Sequence, residues 1–160
     1  MQTSTLKYQV SPEDFSDWKG LYALLAECFS YMDGRIDPPS SLKQMTPASL
    51  EHKAATETLI IVTSDNILVG CAYLKLTDDS LYIGKLAVKP DFRRQGILRG
   101  IINIAENIAR EGNKTSLELE TRIELFENHQ TFSRLGFVKT AETSHPGYER
   151  ITGITMNKKL

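Results

Sequence analysis

The stretch Leu86-Ala87-Val88-Lys89-Pro90-Asp91-Phe92-Arg93-Arg94-Gln95-Gly96-Ile97-Leu98-Arg99-Gly100 decides the reading of this chain. An apolar strand ends at Val88, Pro90 turns the backbone, and a helix opens beside a glycine with arginines around it. The start of a helix leaves several N–H groups without internal partners, and its dipole favours anions. Gly96 lets an anion approach the backbone closely. A single dipole contact is worth only ~0.3–1 kcal/mol, so holding a diphosphate takes several amides together with Arg93, Arg94 or Arg99. The segment is not a P-loop, because no Gly-Lys-Ser/Thr follows, nor does it have the Gly-x-Gly-x-x-Gly spacing of a Rossmann turn. Taken alone, it equally describes a solvated basic helix start beside a tight turn.

Upstream of this stretch the sequence alternates between two periods. Lys7 to Val10 forms a short strand, and Ser11-Pro12-Glu13-Asp14 reads as a helix start with Ser11 as N-cap and Pro12 at the first helical position. Apolar residues at Trp18, Leu21, Tyr22, Leu25, Cys28 and Phe29 follow at helical spacing, and turn residues stop the helix near Tyr31. Thr46-Pro47 opens a second, short helix toward Ala55. Thr58–Thr63, Ile67–Leu76 and Leu81–Val88 then read as an antiparallel meander with turns at Ser64-Asp65-Asn66 and Asp78-Asp79.

Downstream, a helix from about Gln95 to Glu111 presents Ile97, Ile101, Ile104, Ala105 and Ile108 to the core and ends at Gly112-Asn113. A strand at Thr115–Glu120, a short helix around Asn128–Leu135, and strands at Phe137–Thr140 and Ile151–Asn157 complete the order. The whole is a single α/β domain over residues 1–160, with a mixed, mostly antiparallel central sheet of about six to seven strands flanked by about four helices.

Composition agrees with a globular fold: 41% of the 160 residues are hydrophobic and 24% charged. Nineteen Lys plus Arg against twenty Asp plus Glu leave a formal charge of −1, which disfavours a nucleic-acid partner bound through many phosphates. No apolar run is long enough to span a bilayer, and Met1–Val10 lacks the apolar core of a secretory leader. A cytoplasmic location with no membrane partner is therefore expected. Cys28 and Cys71 stand in apolar settings and read as reduced, buried residues. No metal is expected.

The Leu86–Gly100 stretch resembles the acyl-CoA-binding motif of the GNAT superfamily (GCN5-related N-acetyltransferases), L-A-V-x-P-x-x-R-x-x-G-x-G/A. Leu86, Ala87, Val88, Pro90, Arg93 and Gly96 match in register. A second signature of that family, a strand and then a helix ending in aromatic-x-x-L-G-F, resembles Leu117–Glu120 followed by Phe132-Ser133-Arg134-Leu135-Gly136-Phe137. The Thr121–Asn128 run and the element order are also similar. The resemblance implies an N-acetyltransferase that uses acetyl-CoA. Its cofactor-binding set would be Leu86, Ala87, Val88, Arg93, Arg94, Gln95, Gly96, Ile97, Leu98, Arg99, Gly100, Asn128 and Phe132. Backbone groups of Leu86 and Val88 would pair with the pantetheine arm between two splayed strands. The amide near Val88 would polarise the thioester carbonyl, and the amides from Arg94 through Gly100 would hold the diphosphate. Asn128 would bond the arm, cap the short helix, or both. Final strands in this superfamily often pair across dimers, so a homodimer is an expected assembly.

Two residues depart from the pattern. Leu98 replaces the motif's last Gly/Ala, a steric change that leaves the amide in place. Phe132 stands where many members have a tyrosine acid, and it cannot donate a proton. A positioned acid contributes typically 10²- to 10⁴-fold, but a thiol of pKa ~8.5 is already a fair leaving group. Tyr148, His145 and His129 are the alternative donors, with Tyr148 carried forward as the catalytic candidate beside Val88. For a base, Glu118 and Glu120 share one strand face; Glu120 either reaches the cleft or belongs to an ordinary polar face.

The acceptor is expected to be a small-molecule or peptide primary amine of modest basicity, since a lysine-type amine of pKa ~10.4 is neutral only about once in 10³ to 10⁴ molecules at pH 7. Tyr31, Asp33, Arg35 and Asp37 in the connection after the first helix are the acceptor-binding candidates. Asp33 and Asp37 suit an ammonium and Arg35 a carboxylate; the same residues equally make a Pro-stiffened turn. Direct attack without an acyl-enzyme fits the lack of a base near either cysteine. The competing reading is a catalytically weak or inactive acyl-CoA-binding regulatory module.

Overall fold

The computed structural model describes residues 5–160. Seven strands form one sheet: β1 (Leu6–Val10), β2 (Thr58–Ser64), β3 (Ile67–Leu76), β4 (Ser80–Val88), β5 (Ser116–Arg122), β6 (Val138–Thr143) and β7 (Gly153–Lys159), in the spatial order β1-β2-β3-β4-β5-β7-β6. Four α-helices accompany them: α1 (Trp18–Phe29), α2 (Pro47–Ala54), α3 (Ile97–Glu111) and α4 (Phe126–Arg134). The chain runs antiparallel through β1–β4, crosses by way of α3 to lay β5 parallel to β4, and closes with antiparallel β7 and the edge strand β6. No helix of the described residues is long and apolar enough to cross a membrane.

Strand periodicity explains the two cores. The centre of β2, Leu59–Val62, is an unbroken apolar run because alternate residues face opposite layers. Ile60 and Val62 pack with Ile97, Ile101 and Phe137 under α3. Leu59 and Ile61 pack with Leu21, Leu25 and Leu50 under α1 and α2. In β4 this alternation is broken by a bulge: the β3–β4 register shifts between Cys71 and Tyr73, and Lys85 takes a left-handed φ of 48°. Leu81 and Ile83 face the α3 layer before the bulge. After it Leu86 and Val88 do, while Ala87 joins the α1 layer.

Several boundaries differ from the sequence expectation. α1 begins at Trp18, with the Asp17 side chain accepting the Gly20 N–H at 3.0 Å, and not at Ser11-Pro12. Ser11 is held by β-type pairing instead. Its N–H donates to the Leu59 carbonyl, its hydroxyl accepts the Leu59 N–H, and its φ is +44°. Long-range pairing thus overrides the local capping signal. In α3, Ile102 and Ala109 are fully buried, whereas Ile104 and Ile108 lie at the margin. α4 starts two residues early, so Asn128 sits within the helix and does not cap it.

Candidate active site

β4 and β5 pair in parallel only at Ser80–Ser116, Leu81–Leu117 and Tyr82–Glu118. Beyond Tyr82 the two strands diverge, and a cleft of about 980 Å³ opens between them. Lys89 spends its N–H on the Val69 carbonyl, on the β3 side. Alternation along the strand therefore turns the Val88 N–H, and the Leu86 N–H with it, toward the cleft, while that of Ala87 faces β3. The Val88 carbonyl accepts Arg93 Nε at 3.4 Å.

At the far end of this edge the backbone turns through left-handed Arg94 (φ 67°) and Gly96 (φ 81°) into α3. Gly96 is the N-cap and offers no side chain; a Cβ built on it meets nothing within 4 Å, so the space above it is open. The first intrahelical bond runs from the Gly100 N–H to the Gly96 carbonyl at 2.9 Å. Among the described residues, the amides of Arg94 to Arg99 have no backbone acceptor. Such a row of donors at the positive end of a 15-residue helix is suited to an anion. Arg93, Arg94, Arg99 and Leu98 line the same space. Gly100 belongs elsewhere. Its amide is spent inside the helix, and a Cβ there would lie 2.5 Å from the Tyr8 hydroxyl, so this glycine lets the helix pack on β1. Gln95 is exposed and outside the cleft lining.

Phe132 lines the cleft and packs edge-on against Phe137, with 5.9 Å between ring centres. Asn128 also lines it, and its amide donates to the Tyr31 hydroxyl at 2.9 Å.

Of the catalytic candidates, Val88 and Glu120 lie on the cleft wall, whereas Glu118 accepts an Asn157 amide N–H at 3.4 Å. Tyr148 is not in the lining; its hydroxyl donates to Asp37 at 2.6 Å, and that bond raises its pKa. His129 points Nε2 at the Arg122 carbonyl. His145, by contrast, lines the cleft. The fully buried Thr152 hydroxyl accepts the His145 backbone N–H at 2.9 Å and lies 2.5 Å from Nδ1. A buried hydroxyl needs an acceptor for its own hydrogen, and Nδ1 fills that need, which leaves the ring proton on Nε2. Burial, followed by the Arg122 charge, lowers the pKa of His145 and so favours its neutral form.

The acceptor-loop candidates are held by other parts of the protein. Arg35 forms a two-pronged ion pair with Glu127 at 2.6 and 3.0 Å. Asp33 pairs with Lys43 at 3.0 Å. Asp37 receives Tyr148 and Arg150, and its backbone N–H goes to Glu124. None of the three lines the cleft; Tyr31 does. Residues 31–39 are thus a clasp tying α1 to α4 and the loop before β7. In their place, the cleft is lined by Tyr82, Lys85, Thr121 and Arg122, which the sequence did not single out as site residues. Their only sequence signal is polar side chains near the ends of two strands flanking the motif.

Cys28 and Cys71 are both buried free thiols, and burial pushes the Cys28 thiol, which lines the cleft, up to about 11.

Two neighbouring parallel strands that part at their carboxyl ends, with free amides at one end of the gap, suit an extended ligand that carries an anionic group. The family-wide sequence profile described as the acetyltransferase (GNAT) family matches residues 18–137, and the chain belongs to that family. No curated protein matches the chain in sequence. Among solved structures, it is similar to the PaiA N-acetyltransferase of Thermoplasma acidophilum in complex with coenzyme A (TM-score 0.79, 15% identity, 98% of this chain and 99% of the other). It is also similar to a GNAT family acetyltransferase from Elizabethkingia anophelis with acetyl-CoA bound (0.68, 17%, 97% and 98%). A third is the ribosomal-protein-S18-alanine N-acetyltransferase of Escherichia coli (0.68, 16%, 96% and 94%). The seven-stranded mixed sheet with four helices is the GNAT acyl-CoA N-acyltransferase fold.

Proposed function

We propose that the protein transfers an acetyl group from acetyl-CoA to a primary amine that attacks directly in a ternary complex. The observation that carries this reading is the β4–β5 split with inward-facing Val88 and Leu86 amides, continued by the free amides of 94–99. The open space over Gly96 fits a diphosphate, and the two unpaired strand edges fit an amide-bearing arm. When bound, acetyl-CoA supplies the activated acyl group as a thioester.

The protein's own groups divide the remaining work. The Val88 N–H, turned into the cleft, would be the donor to the acyl oxygen, and a donor fixed in advance costs no reorganisation. Glu120, on the acceptor side, takes the proton that the amine must lose, directly or through water. The Nε2–H of His145, held by Thr152, would offer a hydrogen bond to the departing thiolate, which leaves as the anion and takes its proton from water. This replaces Tyr148, whose hydroxyl belongs to Asp37. Cys28 stays protonated, which supports attack by the acceptor itself over an acyl-cysteine route.

The test is coenzyme A thiol release with acetyl-CoA and a panel of amines. Amine-dependent release above hydrolysis, with acetylated product by mass, supports the reading. Micromolar coenzyme A binding with no release from any amine sinks it and favours the regulatory module.

A further inference from the structure

The acceptor half of the cleft holds two cations that lack a carboxylate partner. Lys85, at the β4 bulge, donates to the Ser41 hydroxyl at 2.7 Å. Arg122, at the end of β5, donates to the carbonyls of Pro38 and Pro39 at 2.7 and 3.1 Å. Both side chains line the cleft and neither is fully exposed. The ion pairs among the described residues all involve other cations. Glu124 is near enough to act on Arg122 electrostatically, but its closest ion-pair contact is with Arg150.

Removing a cation from water without a counter-charge is unfavourable, and bringing two together adds repulsion. Burial lowers the pKa of Lys85, with Lys53 and Arg122 adding to that effect against Glu57. Neither head is saturated. Lys85 has used one of its N–H donors, and Arg122 one on each terminal nitrogen, so both keep donors to offer. Their present bonds fix the two heads against residues 38–41 and so arrange them in advance. Of the two carboxylates in the cleft lining, Glu127 is spent on Arg35, and Glu120, two residues before Arg122 on β5, has no ion pair among the described residues. Phe29, Met32 and Ile36 supply an apolar margin. A cation pair, a carboxylate without an ion-pair partner and an apolar wall are complementary to a small zwitterion with an apolar side group.

We propose that the acceptor is a small amine bearing a compact oxyanion, most simply the carboxylate of an apolar amino acid, with Lys85 and Arg122 binding the oxyanion and Glu120 facing the amine. The proposal rests on the acetyl-transfer reading for the fate of the amine, but the binding claim is testable without turnover. Wild-type protein saturated with coenzyme A is titrated with L-phenylalanine, L-phenylalaninamide and phenethylamine, and with the pair β-alanine and 2-aminoethylphosphonate. The Arg122 Nε–Hε NMR signal reports occupancy.

Phenylalanine should move this signal at an at least about tenfold lower concentration than its amide or the decarboxylated amine, the scale of a lost charge-assisted contact. A shift with the phosphonate but not with β-alanine would make the oxyanion a phosphonate or phosphate and overturn the carboxylate assignment. In the Lys85→Met variant, followed by the same signal, and in Arg122→Gln, followed by calorimetry, the preference for phenylalanine over phenethylamine should disappear while coenzyme A affinity reports an intact fold. Lower turnover with the preference intact would mean that the two cations merely anchor residues 38–41, and the proposal would fall. Transfer to all amines without preference overturns the acceptor class but leaves the enzyme. Selective binding of phenylalanine with no thiol release keeps the oxyanion site and removes the enzyme.

Discussion

The wall proposed for the acyl donor comes from one continuous stretch, Leu86 to Arg99, and presents mainly backbone N–H groups. The wall proposed for the acceptor is assembled from the end of α1, the β4 bulge, the end of β5 and the loop before β7, and it presents side chains. A main-chain site tolerates almost any side chain provided the φ angles are right. A side-chain site keeps its geometry only if every supporting contact survives. The two walls should therefore respond to mutation in opposite ways.

The largest effect is expected at Gly96. A valine there must adopt φ +81°, which costs ~1–2 kcal/mol for an L-residue, and it fills the space a phosphate would occupy. Gly96→Val should weaken coenzyme A binding by about 100-fold, which is about 2.7 kcal/mol by calorimetry. His145→Ala comes next, with kcat lowered about tenfold, the scale of one lost hydrogen bond to a leaving thiolate that departs readily. Thr152→Val should move the imidazole ¹⁵N shifts away from the Nε2–H tautomer, and a purely structural Thr152 would not do this. Because the native pKa of His145 is lowered, its neutral form persists as pH falls past the ordinary histidine value. A ¹⁵N titration midpoint at or above 6.5 would contradict this.

Gly100→Ala sharpens the contrast between two glycines of one motif. Its Cβ meets the Tyr8 ring, so stability should fall by ~1–3 kcal/mol, while coenzyme A affinity stays within about threefold. Similar affinity losses at Gly96 and Gly100 would break the distinction between them. The smallest effect is expected for Tyr148→Phe, with kcat within about twofold of wild type, because the hydroxyl ties Asp37 into the clasp. A loss near the 10² scale would return the acid role to Tyr148.

How legible each part was in the sequence follows from the same contrast. The Val88–Arg99 turn could be read because its donors are consecutive residues and its local signals, Pro90 and Gly96, act where they stand. The charged clasp could not. Arg35 finds Glu127 across 92 positions and Tyr148 finds Asp37 across 111, so residues that looked like acceptor ligands are consumed by partners no local pattern exposes. Lys85 was hidden differently, since it reaches the cleft through a bulge that shifts the β4 alternation. Ser11-Pro12 misled because strand pairing to Leu59 outweighed a capping preference worth ~1 kcal/mol.

The most direct measurement is a ¹H–¹⁵N titration of the wild-type protein with coenzyme A. Peptide protons of residues 94–99, together with those of Leu86 and Val88, should shift far more than that of Gly100, which is already bonded to Gly96. If residues 86–99 stay in place at millimolar ligand while signals elsewhere move, the split between β4 and β5 is not the donor site, and the division of the cleft proposed above is wrong.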